Sequence, residues 1–232
     1  MSVRGKVFVD LSLTIYMTYT DKWKEKGKDK FTRFWAWLYY NPVEEVDEIS
    51  TWSGDRTVYQ FSSDSILLGQ ATLANTILLN QKRLSSLSGF TQKVVVEHEV
   101  GHLERSDSLR GLLIGLVFWL AAGLLGIALT AGLIILVPFG FPIESVIKPA
   151  VLSIALISVA VLGFRLEEMA ADFHVLQYIS YDEYRTVKEE IAEINDASGV
   201  GTYLTNLFYA HPETVIQIHK FIEQRKSQLP AI

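Results

Sequence analysis

The sequence predicts an α+β fold, mainly helical, with a short sheet and an inserted hairpin of two long apolar helices. Three observations carry that expectation. Two apolar runs, Leu112 to Val137 and Val146 to Phe164, flank a turn at Pro138 to Pro142. Short segments of strand character, Arg56 to Phe61 and Thr76 to Leu79, precede them. Helical stretches border the runs on both sides, at Phe90 to Ser106 and from Arg165 onward.

Composition narrows the field first. The chain has 232 residues, enough for one medium domain or two small ones. Hydrophobic residues make up 49% of it, and the excess lies between Leu112 and Phe164. A net charge of −5 speaks against a nucleic-acid partner. The absence of cysteine excludes disulfides and thiolate metal sites, so a metal here must be held by His, Asp or Glu. It also fits a domain facing a reducing cytosol.

In chain order, Val7 to Met17 alternates apolar and polar residues with the period of a half-buried strand. Asp10 interrupts that stretch and no small-residue cleavage site follows, unlike a signal peptide. Asp21 to Lys30 is charged, and Phe31 to Tyr40 is crowded with aromatic rings until Pro42. That segment fits either a helix in a membrane interface or a core helix with aromatic packing. Phe90 to Ser106 is a helix capped by Ser88 or Thr91. At helical rise the two apolar runs span about 39 Å and about 28 Å, against a bilayer core of about 30 Å. Neither has a charge in its middle, and Lys148 sits where it can snorkel. A domain this small has too little other apolar surface to cover two all-round hydrophobic helices, so they are expected to cross a membrane. Tyr181 to Ile194 and Pro212 to about Lys226 are further helices, separated by a loop at Asp196 to Gly201.

His98-Glu99-Val100-Gly101-His102 carries the chemistry. Residues four apart share a helical face, so both imidazoles can reach one Zn²⁺ at about 2 Å. Glu99 sits one residue on from His98, where a carboxylate flanks a metal without binding it and suits a general base on water. Catalytic zinc takes three protein ligands and keeps one position open. Glu168 and Asp172 share a face of the helix that starts at Arg165. There Glu168 can complete the shell, while Asp172 accepts the spare N–H of a zinc-bound histidine. Glu167, about 100° round that helix, points elsewhere. Because His98 and Glu168 must meet on one side of a membrane, the chain between them must cross an even number of times, and it offers two crossings. Positive charge near the membrane ends (Arg105, Arg110, Arg165) is expected to put this side and both termini in the cytosol.

The pattern resembles the HtpX-type membrane metallopeptidases, a gluzincin group that includes the CAAX prenyl proteases. These carry H-E-x-x-H, a transmembrane hairpin, then E-x-x-A-D, matched here by Glu168-Met-Ala-Ala171-Asp172. The match runs from about Thr72 to Ile218. It implies a zincin-like metallopeptidase fold, with Glu168 as third ligand and Asp172 behind it. A late His-Pro element, here His211-Pro212, implies that His211 approaches the metal or the oxyanion. The resemblance also implies a substrate-pairing strand before the metal helix, which Thr76, Ile77, Leu78 and Leu79 fit. His174 and His219 have no counterpart and are expected to be structural or exposed. Relatives often have transmembrane helices ahead of the metal helix, and this chain has no clear one there.

The expectation is therefore a membrane-bound endopeptidase with one zinc ion, acting on polypeptides in or near the bilayer. Residues 1–110 would hold the first half of the catalytic domain, 111–164 the hairpin and 165–232 the second half. Processing of one lipidated or prenylated substrate is the alternative among enzymes. A membrane adaptor that binds peptide without cutting it is the alternative outside them, though such a protein has no need of Glu99.

Overall fold

The structure is a computed structural model and describes residues 24–38, 40–65, 67–105, 107–131, 143–196 and 209–228. The Val7 to Met17 segment, the Pro138 to Pro142 turn and most of the Asp196 to Gly201 loop lie outside the described residues. What is described is mostly helical, with one small mixed sheet and two long apolar helices.

Helix α1 covers residues 24–38. Strands β1 (Glu45–Thr51) and β2 (Gly54–Phe61) form an antiparallel hairpin, Glu45 opposite Gln60 and Thr51 opposite Gly54. Gly54 closes it at φ +121°, a conformation that side chains with a Cβ resist. Strand β3 is Gly69–Ala71 and β4 is Ile77–Asn80. The sheet order is β1-β2-β4-β3, with β4 parallel to β2 and antiparallel to β3.

Strand β4 is apolar at consecutive positions because both of its faces are covered. Ile77 and Leu79 meet Val95, Val96 and Val100 of helix α3 (Gly89–Glu104), with Val58 between them. Leu78 turns the other way, onto Tyr59, Phe61 and Ala36 of α1. The sheet is thus sandwiched between α1 and α3. The aromatic segment divides accordingly. Trp35 and Tyr40 face inward and both donate to Gln70 Oε1, at 3.3 and 2.7 Å, while Phe34, Trp37 and Leu38 face outward.

A one-turn helix α2 (Gln81–Leu84) leads to α3. Ser88 caps α3, its Oγ accepting the Thr91 N–H at 3.2 Å, and Glu190 of α6 (Tyr181–Asp196) accepts from the same Ser88 hydroxyl at 2.8 Å. Helix α4 is Asp107–Ala131 and α5 is Glu144–Val175. They run antiparallel, Ile114 against Gly163 and Gly115 against Phe164. Small residues at the contact let two backbones approach, as in membrane helix pairs. The outer faces are bare: Trp119 is 74% exposed, Ile127 66% and Val159 65%. Both helices are long and apolar enough to cross a membrane, and few residues of either apolar stretch are covered by the protein. Helix α5 runs unbroken through the boundary expected at residues 164 and 165, so hairpin and C-terminal half share one rod. Helix α7 (Pro212–Gln228) packs Val215 and Ile216 against Leu176 and Tyr184.

Candidate metal centre

The centre forms where α3 crosses α5. Gly101 permits the crossing: a Cβ there would lie 3.0 Å from His174 Cβ and 3.2 Å from Ala171 Cα. Arg105, just past the end of α3, fastens the crossing by donating to the carbonyls of Ala170 at 2.6 Å and Glu167 at 3.3 Å. This contact brings His98 and His102 of α3 over Glu168 and Asp172 of α5.

His98 Nε2 lies 3.3 Å from His102 Nε2 and 3.1 Å from Glu168 Oε2, and His102 Nε2 lies 3.5 Å from Glu168 Oε1. These three residues form a group that can hold a metal ion. The spacing suits zinc closely. A tetrahedron with bonds of about 2.05 Å has ligands about 3.3 Å apart. The donor set also fits, since two imidazole nitrogens and a carboxylate oxygen are ligand types that zinc takes.

His98 is held from behind. Its Nδ1 lies 3.0 Å from Asp172 Oδ1, an arrangement that keeps the proton on Nδ1 and the Nε2 lone pair toward the centre. Asp172, itself buried, takes two further donors: Lys188 Nζ at 2.8 Å on Oδ1 and the Tyr184 hydroxyl at 2.7 Å on Oδ2. Tyr184 and Lys188 are one turn apart on α6 and serve one carboxylate. Burial works against charge on His98, but its hydrogen bonds to the Asp172 and Glu168 carboxylates, and their charge, outweigh it and raise its pKa.

Glu99 stands beside the ligand group and outside it. Its Oε2 accepts the backbone N–H of Ala71 at 2.7 Å. Burial pushes its pKa up, with His102 and His98 opposing the shift. A buried carboxylate whose pKa is raised is chemically suited to exchanging protons with a neighbouring group. Glu167 faces the other way, an oxygen 3.5 Å from where a Cβ on Gly111 would be.

A pocket of about 1020 Å³ opens over the centre. Leu67, Leu68, Val94 and Ile191 form an apolar wall, and Phe164 and Arg165 border it at the hairpin end. Tyr209 and His211 also line it. The Tyr209 hydroxyl is hydrogen-bonded to Glu168; that carboxylate's charge, then burial, raise the phenol pKa well above its ordinary value and keep it a donor. His211 lies in the pocket wall and also caps α7, its Nδ1 accepting the Glu213 N–H at 3.3 Å.

The strand expected to pair with substrate lies elsewhere. Ile77, Leu78 and Leu79 belong to β4, which β2 and β3 flank on both sides, so their backbone groups are committed within the sheet. Thr76 is buried, its hydroxyl 2.8 Å from that of Thr32 and 2.7 Å from that of Thr72. A strand with two neighbours cannot accept a third. Among the described residues, the strand at the sheet edge beside Glu99 is β3. His174 is structural: it lies on the far side of α3, its Nε2 2.9 Å from the buried Glu97 carboxylate, which also accepts the Trp52 N–H.

Sequence reasoning did not find Tyr184, Lys188, Tyr209 or β3. The helical spacing of Tyr184 and Lys188 was a usable signal, but nothing local pointed it at Asp172. No family model, no curated protein and no solved structure matches this chain.

Proposed function

We propose that the protein is a zinc-dependent endopeptidase of the membrane surface, with a zincin-like catalytic domain of the HtpX type. The supporting observation is the convergence of His98, His102 and Glu168 at 3.1 to 3.5 Å, with Glu99 adjacent but outside the ligand group. Bound zinc would supply Lewis acidity to a scissile carbonyl and acidify a water. Glu99 takes the proton from the attacking water as the O–C bond forms. It then passes that proton to the amine nitrogen as the C–N bond breaks. Asp172, Lys188 and Tyr184 keep His98 in the tautomer that leaves the Nε2 lone pair facing the centre. His211 and Tyr209 line the pocket where charge grows on the carbonyl oxygen.

The substrate reading rests on α5. Glu168 follows Phe164, the last residue of the apolar stretch, by four residues, about 6 Å along an unbroken helix. A centre held that close to a bilayer favours polypeptides in or next to the membrane. An extended substrate would run past Leu67, Leu68 and Gly69, which line the pocket ahead of the Ala71 N–H that Glu99 takes. The apolar wall beside Phe164 favours, as a second reading, processing of a lipidated polypeptide. Arg105, Arg110 and Arg165 around the hairpin ends favour a cytosolic centre.

Glu99→Gln tests the proposal. The variant should keep one zinc per chain and lose cleavage of an unfolded casein-like substrate. Loss of zinc would make Glu99 a ligand, and unimpaired cleavage would remove it as the base.

A further inference from the structure

We infer that β3 is a clasp for the base, with Gly69 and Ala71 as positioning residues for Glu99. The inference deepens the endopeptidase reading and rests on it. In an antiparallel pair, alternate residues turn their backbone groups toward the partner strand. Asn80 N–H donates to Leu68 O at 2.9 Å and Thr72 N–H to Thr76 O at 2.8 Å, so residues 68, 70 and 72 face β4. Gly69 and Ala71 therefore turn their N–H and C=O groups outward, over the edge.

Glu99 occupies that edge. It reaches from α3 and accepts the Ala71 N–H at 2.7 Å. Gly69, opposite Leu79 in the same register, makes room for the approach: a Cβ there would lie 3.0 Å from Glu99 Cγ and 3.0 Å from its Oε1. One edge residue thus binds the carboxylate, and the other, by lacking a side chain, admits it. An ionised acceptor on a backbone donor is among the stronger protein hydrogen bonds. Helix α3 holds Glu99 by its backbone alone, and the carboxylate lies at the end of a side chain with three rotatable bonds. The Ala71 amide selects one of its orientations, on the pocket side of α3.

Amide exchange and kinetics test the clasp separately from the proposed activity. In the full-length zinc-loaded protein, the Ala71 amide should exchange slowly although no strand pairs with its side of β3 among the described residues. Glu99→Ala should speed its exchange by about tenfold or more while the Asn80 amide stays protected. Unchanged exchange at Ala71 would overturn the inference, whether or not the protein proves to be a protease. Kinetically, Ala71→Pro deletes the donor at an edge position where proline is tolerated. It should lower kcat by about tenfold or more with zinc content and KM near wild type. Ala71→Gly keeps the N–H and should restore kcat. Gly69→Ala pushes on a flexible carboxylate and should likewise lower kcat with zinc retained. An Ala71→Pro variant with wild-type kcat, or an Ala71→Gly variant as impaired as Ala71→Pro, would sink the clasp. Absence of cleavage by the zinc-loaded wild type would overturn the endopeptidase reading instead.

Discussion

Replacing Gly101 with alanine would put a methyl group where α3 and α5 touch. Its carbon would lie 3.0 Å from His174 Cβ, 3.2 Å from Ala171 Cα and 3.3 Å from Ala171 O. Carbon atoms rest at about 3.5 to 4.0 Å, so the helices must part by about half an ångström or more at the crossing. Two of the three neighbours are backbone atoms and cannot rotate away. Overpacking of this kind costs about 1–3 kcal/mol. Glu168 precedes Ala171 by three residues, about 4.5 Å along the same helix, and must move with it. The ligand separations of 3.1 and 3.5 Å between the histidines and Glu168, which now straddle the tetrahedral edge, would then both lie beyond it. If all of that cost fell on the metal-bound arrangement, zinc affinity would drop about 5- to 150-fold. The assay is competition against a chromophoric chelator, run beside thermal unfolding. Gly163→Ala is the control, because its new Cβ meets the mobile tip of Ile114 at 3.0 Å, in the hairpin and away from the centre. A Gly101→Ala protein with wild-type zinc affinity would refute the idea that this crossing sets the ligand geometry.

Glu168→Ala should abolish tight zinc binding, whereas Glu167→Ala should leave zinc occupancy near wild type; measured metal content decides, and the reverse sensitivity would mean that α5 presents another face. Tyr209→Phe removes the hydroxyl bonded to Glu168; it should slow cleavage about tenfold or more with zinc retained, and unaltered kcat would take Tyr209 out of the chemistry. Single cysteines at Gly140 and Ser198, in this cysteine-free chain, should label and stay unlabelled respectively with an impermeant maleimide on intact cells. The opposite pattern would put the His98, His102 and Glu168 group outside.

Much of the centre was legible because helix periodicity is local. Three residues between His98 and His102, and three between Glu168 and Asp172, put each pair on one face of its helix whatever surrounds it. The apolar runs were legible for a similar reason: their length and lack of charge are properties of consecutive residues. The Phe31 to Tyr40 segment was harder, since a helix apolar on several faces gives no sign of which face meets the sheet. Trp35 and Tyr40 turn inward only because Gln70 and Phe61 are there to receive them.

The sequence by itself determined the paired histidines, the neighbouring carboxylate, the face shared by Glu168 and Asp172, and the two helices able to cross a membrane. The tertiary structure alone decided the rest. Three residues of β3, one of them glycine, have little strand propensity of their own and form a strand against Ile77, Leu78 and Leu79. The edge beside Glu99 is therefore β3, although β4 has the stronger strand sequence. Tyr184 and Lys188 reach Asp172, and Tyr209 reaches Glu168, through contacts between separate elements of the chain. The division follows the physics: a helix is closed by hydrogen bonds four residues apart, whereas a sheet edge and a buried polar network exist only once distant segments have met.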